Sequence, residues 1–435
     1  MKKKWMQSVA LLLACVSLGT NAQDQTQATE EFSVNGLKVI VKPISANEII
    51  SVQLYLRGGS LNLTEATQGI ESLIFQSAVK GSKSYPKEKL NSILDRTASV
   101  INSNSTRDFS YIGLRCLKSD FDDLWDAYAD VIINPAFVAA DVEVVRRNML
   151  LSIRQRKDTP DGHLNLLTEE MFYAGHPYHL HPGGVESSVS AITIEQMRKY
   201  LSDNLVTSKL LLVVVGNLGK EVVQRKVEAT FGTLPRGEYR IEFPDPVVHH
   251  SPSFKIIEQQ LPTNYFRGSF TMPGPSDPEF YATLVMMNIL STRVWEEVRT
   301  KRNLSYAPSA RIENRFANQG YIYVTAVNPD SAVRVMLGEL KKLQNEPVSA
   351  KDLKDRITMF LTSYYLTRET NESQGEFLAF HELAGMGWQA AAQFIDRVRG
   401  VTAADIQRVA KKYFHNMQTT VIGDPKLINK EVYSF

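Results

Sequence analysis

Cysteine is nearly missing from this chain: its 435 residues contain two, Cys15 and Cys116. A framework of internal disulfides is therefore excluded, and stability has to come from packed cores. A charge imbalance is missing too. The formal net charge is +2, and Lys2, Lys3 and Lys4 alone supply more than that, so nothing implies a surface for nucleic acid or anionic membrane. After residue 22 no uncharged apolar run approaches the roughly 20 residues that a spanning helix needs. With 43% hydrophobic and 22% charged residues, the remainder reads as ordinary globular protein.

What the chain does have begins at its N-terminus. Residues 1–4 are basic, 5–18 are apolar, and Thr20, Asn21 and Ala22 precede Gln23. This is the pattern of a secretory signal peptide over residues 1–22, and it predicts a periplasmic or otherwise exported protein. A competing reading takes Leu12-Leu13-Ala14-Cys15 as a lipoprotein processing site, which leaves a lipid on Cys15 and tethers the chain to a membrane. Residues 23–31, rich in Gln, Thr and Glu, read as a flexible leader, with the fold beginning near Phe32.

Val34-Asn35-Gly36-Leu37 carries a turn signal, and the runs 38–42 and 49–56 alternate in the manner of strands, which predicts a hairpin. Helices are expected over 69–79, 86–98, 120–133 and 139–156, with a strand over 110–117. A helix over 193–204 leads to a strand over 209–215 that stops at Gly216-Asn217. A helix over 402–414 leads to a strand over 419–422 that stops at Gly423-Asp424. The same closing unit occurs twice, half a chain apart, which argues for duplication into two lobes of about 200 residues each. Residues 236–252, with Arg236-Gly237, Pro244, Pro246 and Pro252, are the linker. An N-terminal lobe over 32–235 and a C-terminal lobe over 253–435 follow.

Ordered landmarks run through both lobes: Gly58-Gly59-Ser60 after a strand, Gly69-Ile70 opening a helix and Lys80-Gly81-Ser82 closing it, the stretch 102–110, His176-Pro177-Tyr178, the two closing units, and the stretch 298–306. In these the chain resembles the pitrilysin and insulinase family of inverted zinc peptidases, which includes the mitochondrial processing peptidases. The resemblance covers nearly all of the chain after the signal. It implies an α+β fold of two homologous lobes, each a mostly antiparallel sheet with helices packed on one face.

In active members the helix that opens at the position of Gly69 carries H-x-x-E-H, two zinc-binding His one turn apart with a general-base Glu between them. Here that segment reads Ser72-Leu73-Ile74-Phe75-Gln76, so Ser72 and Gln76 stand where the ligands would be and Phe75 where the base would be. The family's further ligand, a Glu on a later helix, is matched by Ser152. These four degenerate positions imply no metal and no cofactor in this chain. Glu71, about 100° around the helix from Ser72, is expected to be a solvated charge. His176, His179 and His181 alternate in a Pro- and Gly-rich loop without a carboxylate or Cys partner, and His249-His250 lie in the linker pointing both ways, toward solvent. Neither group predicts a metal site. Ser72 has no G-x-S-x-G elbow and no neighbouring His to make it a nucleophile.

The resemblance keeps Arg299 and Tyr306, which match the family's arginine and tyrosine pair in the second lobe. A Tyr hydroxyl can donate to a developing oxyanion, and a guanidinium can hold a neighbouring backbone carbonyl. By themselves the two residues also read as a surface partner of Glu296 and a packed strand tyrosine. Asn102 opens a stretch that resembles the segment ahead of the family's peptide-binding edge strand, or reads plainly as a polar turn. Two departures, Ser291-Thr292 for a Gly pair and Asn303 for a Gly, predict altered loop geometry near Arg299.

The resemblance thus implies a non-catalytic subunit of an exported heteromeric zinc metallopeptidase. Its Arg299 and Tyr306 would act in trans, with zinc in a homologous partner subunit and unfolded peptides as substrate. The alternative is a peptide-binding or scaffold protein of the same fold with no proteolytic role.

Overall fold

The computed structural model describes residues 28–435, so the signal-peptide and lipoprotein readings, Cys15 included, lie outside the described residues. The first half runs through β1 (Glu30–Val34), β2 (Leu37–Pro43), β3 (Ile49–Arg57), α1 (Ile70–Ala78), α2 (Lys87–Thr97), β4 (Val100–Ser105), β5 (Phe109–Leu117), α3 (Phe121–Ile133), α4 (Ala139–Asp158), α5 (Pro160–Phe172), α6 (Glu186–Ala191), α7 (Ile194–Asn204), β6 (Leu210–Gly216) and α8 (Lys220–Ala229). Residues 236–252 form no helix or strand. The second half runs through β7 (Ser253–Glu258), β8 (Asn264–Thr271), α9 (Phe280–Val294), β9 (Ser309–Ile312), β10 (Gln319–Ala326), α10 (Pro329–Asn345), α11 (Ala350–Leu366), α12 (Asn371–Leu383), α13 (Ala390–Arg399), α14 (Ala403–Tyr413) and β11 (Gln418–Gly423).

Each half builds one sheet. The first has the order β1-β2-β6-β3-β5-β4 and the second β7-β11-β8-β10-β9. In both, the last strand inserts between the first two of the repeat, parallel to one and antiparallel to the other: β6 between β2 and β3, β11 between β7 and β8. The closing helices start alike. Thr193 accepts from the Gln196 N–H and donates its own N–H to the Gln196 side chain, and Thr402 makes the same reciprocal pair with Asp405. The duplication extends to topology, and the two-lobed α+β architecture is as expected.

Two local expectations fail. The runs 38–42 and 49–56 are not paired with each other, because β6 lies between them. The Asn35-Gly36 turn does close a hairpin, but between β1 and β2, with both residues at positive φ (48° and 89°) as a two-residue hairpin loop requires. The leader ends early: Glu30 and Glu31 are already strand residues, and Glu31 pairs with Lys38 at 3.0 Å.

β6 reads LLLVVVG without a polar residue because both its faces are covered. Leu210, Leu212 and Val214 enter the core formed with the lobe's own helices, while Leu211, Val213 and Val215 pack with Leu378, Ala379 and Leu383 of α12, a helix of the other lobe. The exchange is reciprocal. Leu164 and Leu167 of α5 pack on Ile422 of β11. Each sheet therefore has its own helices on one face and a single borrowed helix on the other.

Candidate functional site

The positions that the resemblance matches to the metal site carry side chains engaged in other ways. Ser72 is buried in α1 and donates to the carbonyl of Pro182 at 2.9 Å. Phe75 joins the N-terminal core, whereas Gln76 is exposed. Ser152 is exposed on α4 and donates to the Asn148 carbonyl one turn back at 3.0 Å. An aromatic ring in the core and hydroxyls spent on backbone carbonyls do not fit zinc, and among the described residues no group of three or more His, Cys, Asp or Glu could hold a metal ion. The loop histidines are spent separately: His179 on Glu65 at 2.7 Å, His176 on the Asp245 carbonyl at 2.9 Å, His181 on Arg156. His249 is half-buried, its ring edge-on to Phe172 at 4.7 Å, so its expected solvent-facing position is corrected.

Glu71 needs correction too. It is not solvated but 3% exposed, and its carboxylate accepts from Tyr200 (2.6 Å), Asn62 (2.9 Å) and Ser110. Burial raises its pKa despite these three donors. Through this carboxylate α1 is fastened to β5 and α7.

Arg299 lies where α9 loosens into a π-helical stretch, Trp295–Thr300. Buried Val298 anchors this stretch, and its carbonyl accepts from the Leu304 N–H at 2.9 Å, folding the chain back. Asn303 provides the reversal at φ 51°, a left-handed conformation that Asn tolerates and Gly favours, so the departure from Gly leaves the turn intact. The guanidinium of Arg299 donates to the Tyr306 carbonyl at 2.7 Å and lies 4.2 Å from the Trp295 ring centroid. Neither plain reading of the pair survives. Glu296 pairs with Arg356 at 3.4 Å instead of Arg299, and Tyr306 is outside any strand with 75% of its surface exposed. Arg299 pairs with no carboxylate among the described residues.

Asn102 sits within β4 rather than ahead of the edge strand, because β4 is itself the edge of its sheet. Its side chain reaches Glu372 of α12 at 3.4 Å. Gly59 has φ 48° and lies so close to the β4–β5 turn that a Cβ would stand 2.3 Å from the Arg107 carbonyl, which accounts for the Gly58-Gly59-Ser60 landmark. That turn also opens a charge network with no sequence signal. Glu169 of α5 takes Arg107 from one lobe and Arg315 from the other, each at 2.8 Å. Residues 62 to 146 positions apart meet there, and no spacing rule joins them.

A duplicated pair of lobes with degenerate ligand positions defines a metallopeptidase-like chain without the metal set. Comparison with known proteins agrees. A family model described as insulinase (peptidase family M16) matches residues 38–181, and one described as the peptidase M16 inactive domain matches residues 191–360. An uncharacterized zinc protease of Rickettsia felis is 20% identical over 402 residues, covering 90% of this chain and 96% of that protein. A non-peptidase homolog of Helicobacter pylori is 22% identical over 339 residues, covering 74% and 76%. Among solved structures, a peptidase M16 inactive domain from Pseudomonas fluorescens superposes with a TM-score of 0.84 at 16% identity, covering 91% of this chain and 98% of the other. The chain belongs to the pitrilysin/insulinase family, as a member without its zinc-binding motif.

Proposed function

We propose that this chain is the zinc-less subunit of an exported heteromeric metallopeptidase and lends Arg299 and Tyr306 to a zinc-bearing homologous partner. One observation carries the reading: the arginine pairs with no carboxylate among the described residues, and the tyrosine beside it is 75% exposed. With one guanidinium N–H on the Tyr306 carbonyl, the remaining donors can hold backbone carbonyls of an extended peptide, and the Tyr306 hydroxyl can donate to the oxygen on which charge develops during attack. Neither group activates water, so hydrolysis depends on the partner. Unfolded peptides suit the free edge of β4, where Asn102 lies, because backbone pairing tolerates many sequences. The non-peptidase homolog among the relatives favours a second reading, a peptide-binding scaffold with no part in proteolysis.

Co-expression with a zinc-bearing homologue separates the two. Cleavage of an unfolded peptide should need both chains, and Arg299→Ala or Tyr306→Phe should lower kcat by about 100-fold, the worth of one oxyanion donor, with the complex still eluting as one species. Full activity of the partner alone would establish the scaffold instead.

A further inference from the structure

A cavity of roughly 660 Å³ opens between the lobes, within the range of ligand sites. Tyr55, Phe109 and Tyr111 wall it on the N-terminal side, the Tyr55 ring 5.3 and 5.6 Å from the other two centroids. On the far side Tyr364 of α11 stacks on Phe394 of α13 at 4.9 Å. These rings already support one another, so the walls are preformed. Two sheet edges border the same space: Asn104 belongs to β4 and Arg311 to β9, each the terminal strand of its sheet with one side unpaired.

One arginine of this aromatic wall, Arg368, keeps an unused buried donor. Arg368, just beyond α11, lies 4.4 Å from the Phe377 ring and spends one N–H on the Thr367 carbonyl at 3.2 Å. Its Nε is buried with no hydrogen-bond partner among the described residues. Glu376 lines the same cavity without an ion pair to Arg368; desolvation and the neighbouring Glu372 raise its pKa, and the charge of Arg368 opposes them. A buried donor left open is costly unless an acceptor arrives.

We propose that this cavity takes the C-terminal residue of an extended peptide, with a large aromatic side chain in the space, the α-carboxylate on Arg368, and the backbone along an open sheet edge. The peptide character rests on the peptide-binding reading above. The cavity and its cation do not depend on a partner, and the test uses this chain alone, so failure of the subunit pairing and failure of this site are distinguishable.

The test is calorimetric titration with a tetrapeptide of three alanines and a terminal phenylalanine, as free acid and as amide, beside tetra-alanine and 3-phenylpropionate. The free acid should bind about tenfold or more tightly than the amide, as a charge-assisted hydrogen bond in a buried site implies, and tighter than tetra-alanine. Arg368→Gln should erase the preference of acid over amide. Ser291→Phe, which narrows the cavity from α9, should weaken the phenylalanine peptide without moving the melting temperature. Absence of binding by the folded protein, or an acid-to-amide ratio unchanged in Arg368→Gln, would overturn the site. Binding of 3-phenylpropionate as tightly as the peptide would overturn the peptide assignment in favour of free aromatic acids.

Discussion

Asp108 sits in the turn between β4 and β5, where its carboxylate accepts from the Phe316 N–H of the other lobe at 3.1 Å and from the Tyr178 hydroxyl. Burial raises its pKa to about 6, against the lowering pull of those donors and of Arg315 and Arg107. Because the folded value lies above the unfolded one, its contribution to stability is complete below about pH 4 and is lost as pH rises through about 6. Asp108→Asn should therefore flatten the melting temperature against pH over that window and stabilise the protein at pH 7 by an amount on the order of 2 kcal/mol. A profile as steep as that of the unsubstituted protein would show that another group is responsible. At this scale the lost zinc positions are instructive as well. Ser72, Phe75 and Gln76 were legible as degenerate from the sequence because each is a single letter in a gapless segment. The burial of Glu71 was not, since its three donors come from residues 9, 39 and 129 positions away.

At the scale of elements, α12 is the piece on which the two lobes depend. Gly375 faces the N-terminal sheet so closely that a Cβ would stand 2.8 Å from the Gln53 side-chain oxygen and 3.3 Å from Val215. A bulky side chain there has no space to enter. Gly375→Leu should lift the helix from β3 and β6, cost about 1 to 3 kcal/mol as overpacking does, and open residues 236–252 to proteolysis before the lobes themselves are cut. Unchanged protease resistance would mean that other inter-lobe contacts carry the junction. The capped helices α7 and α14 were readable from Thr193 and Thr402 because capping is local. The exchange of α5 and α12 was not, because an amphipathic helix buries its apolar face equally well against its own sheet or a neighbour's.

For the whole molecule, the joint between the lobes is electrostatic at one end and apolar at the other. Desolvation alone would raise the pKa of Glu169, but the charges of Arg107 and Arg315 outweigh it and hold the carboxyl at about 2. This folded value lies below the unfolded one, so the stabilisation is present above about pH 4.5 and is lost as pH falls toward 2. Glu169→Gln leaves two buried guanidinium groups short of their shared anion and should cost about 3 to 5 kcal/mol, seen as a lower melting temperature at pH 7 that converges with the unsubstituted protein in acid. The sequence by itself determined the repeat and the α+β class, which are written in local order and spacing, while the metal-motif positions and the Arg299 and Tyr306 pair were singled out by the resemblance. Tertiary structure alone decided that β6 separates β2 from β3, that Glu71 is buried, that each sheet borrows a helix, and that Arg368 lines an aromatic cavity. Those outcomes depend on contacts between residues far apart in the chain, and no periodicity or local propensity encodes which distant surfaces meet.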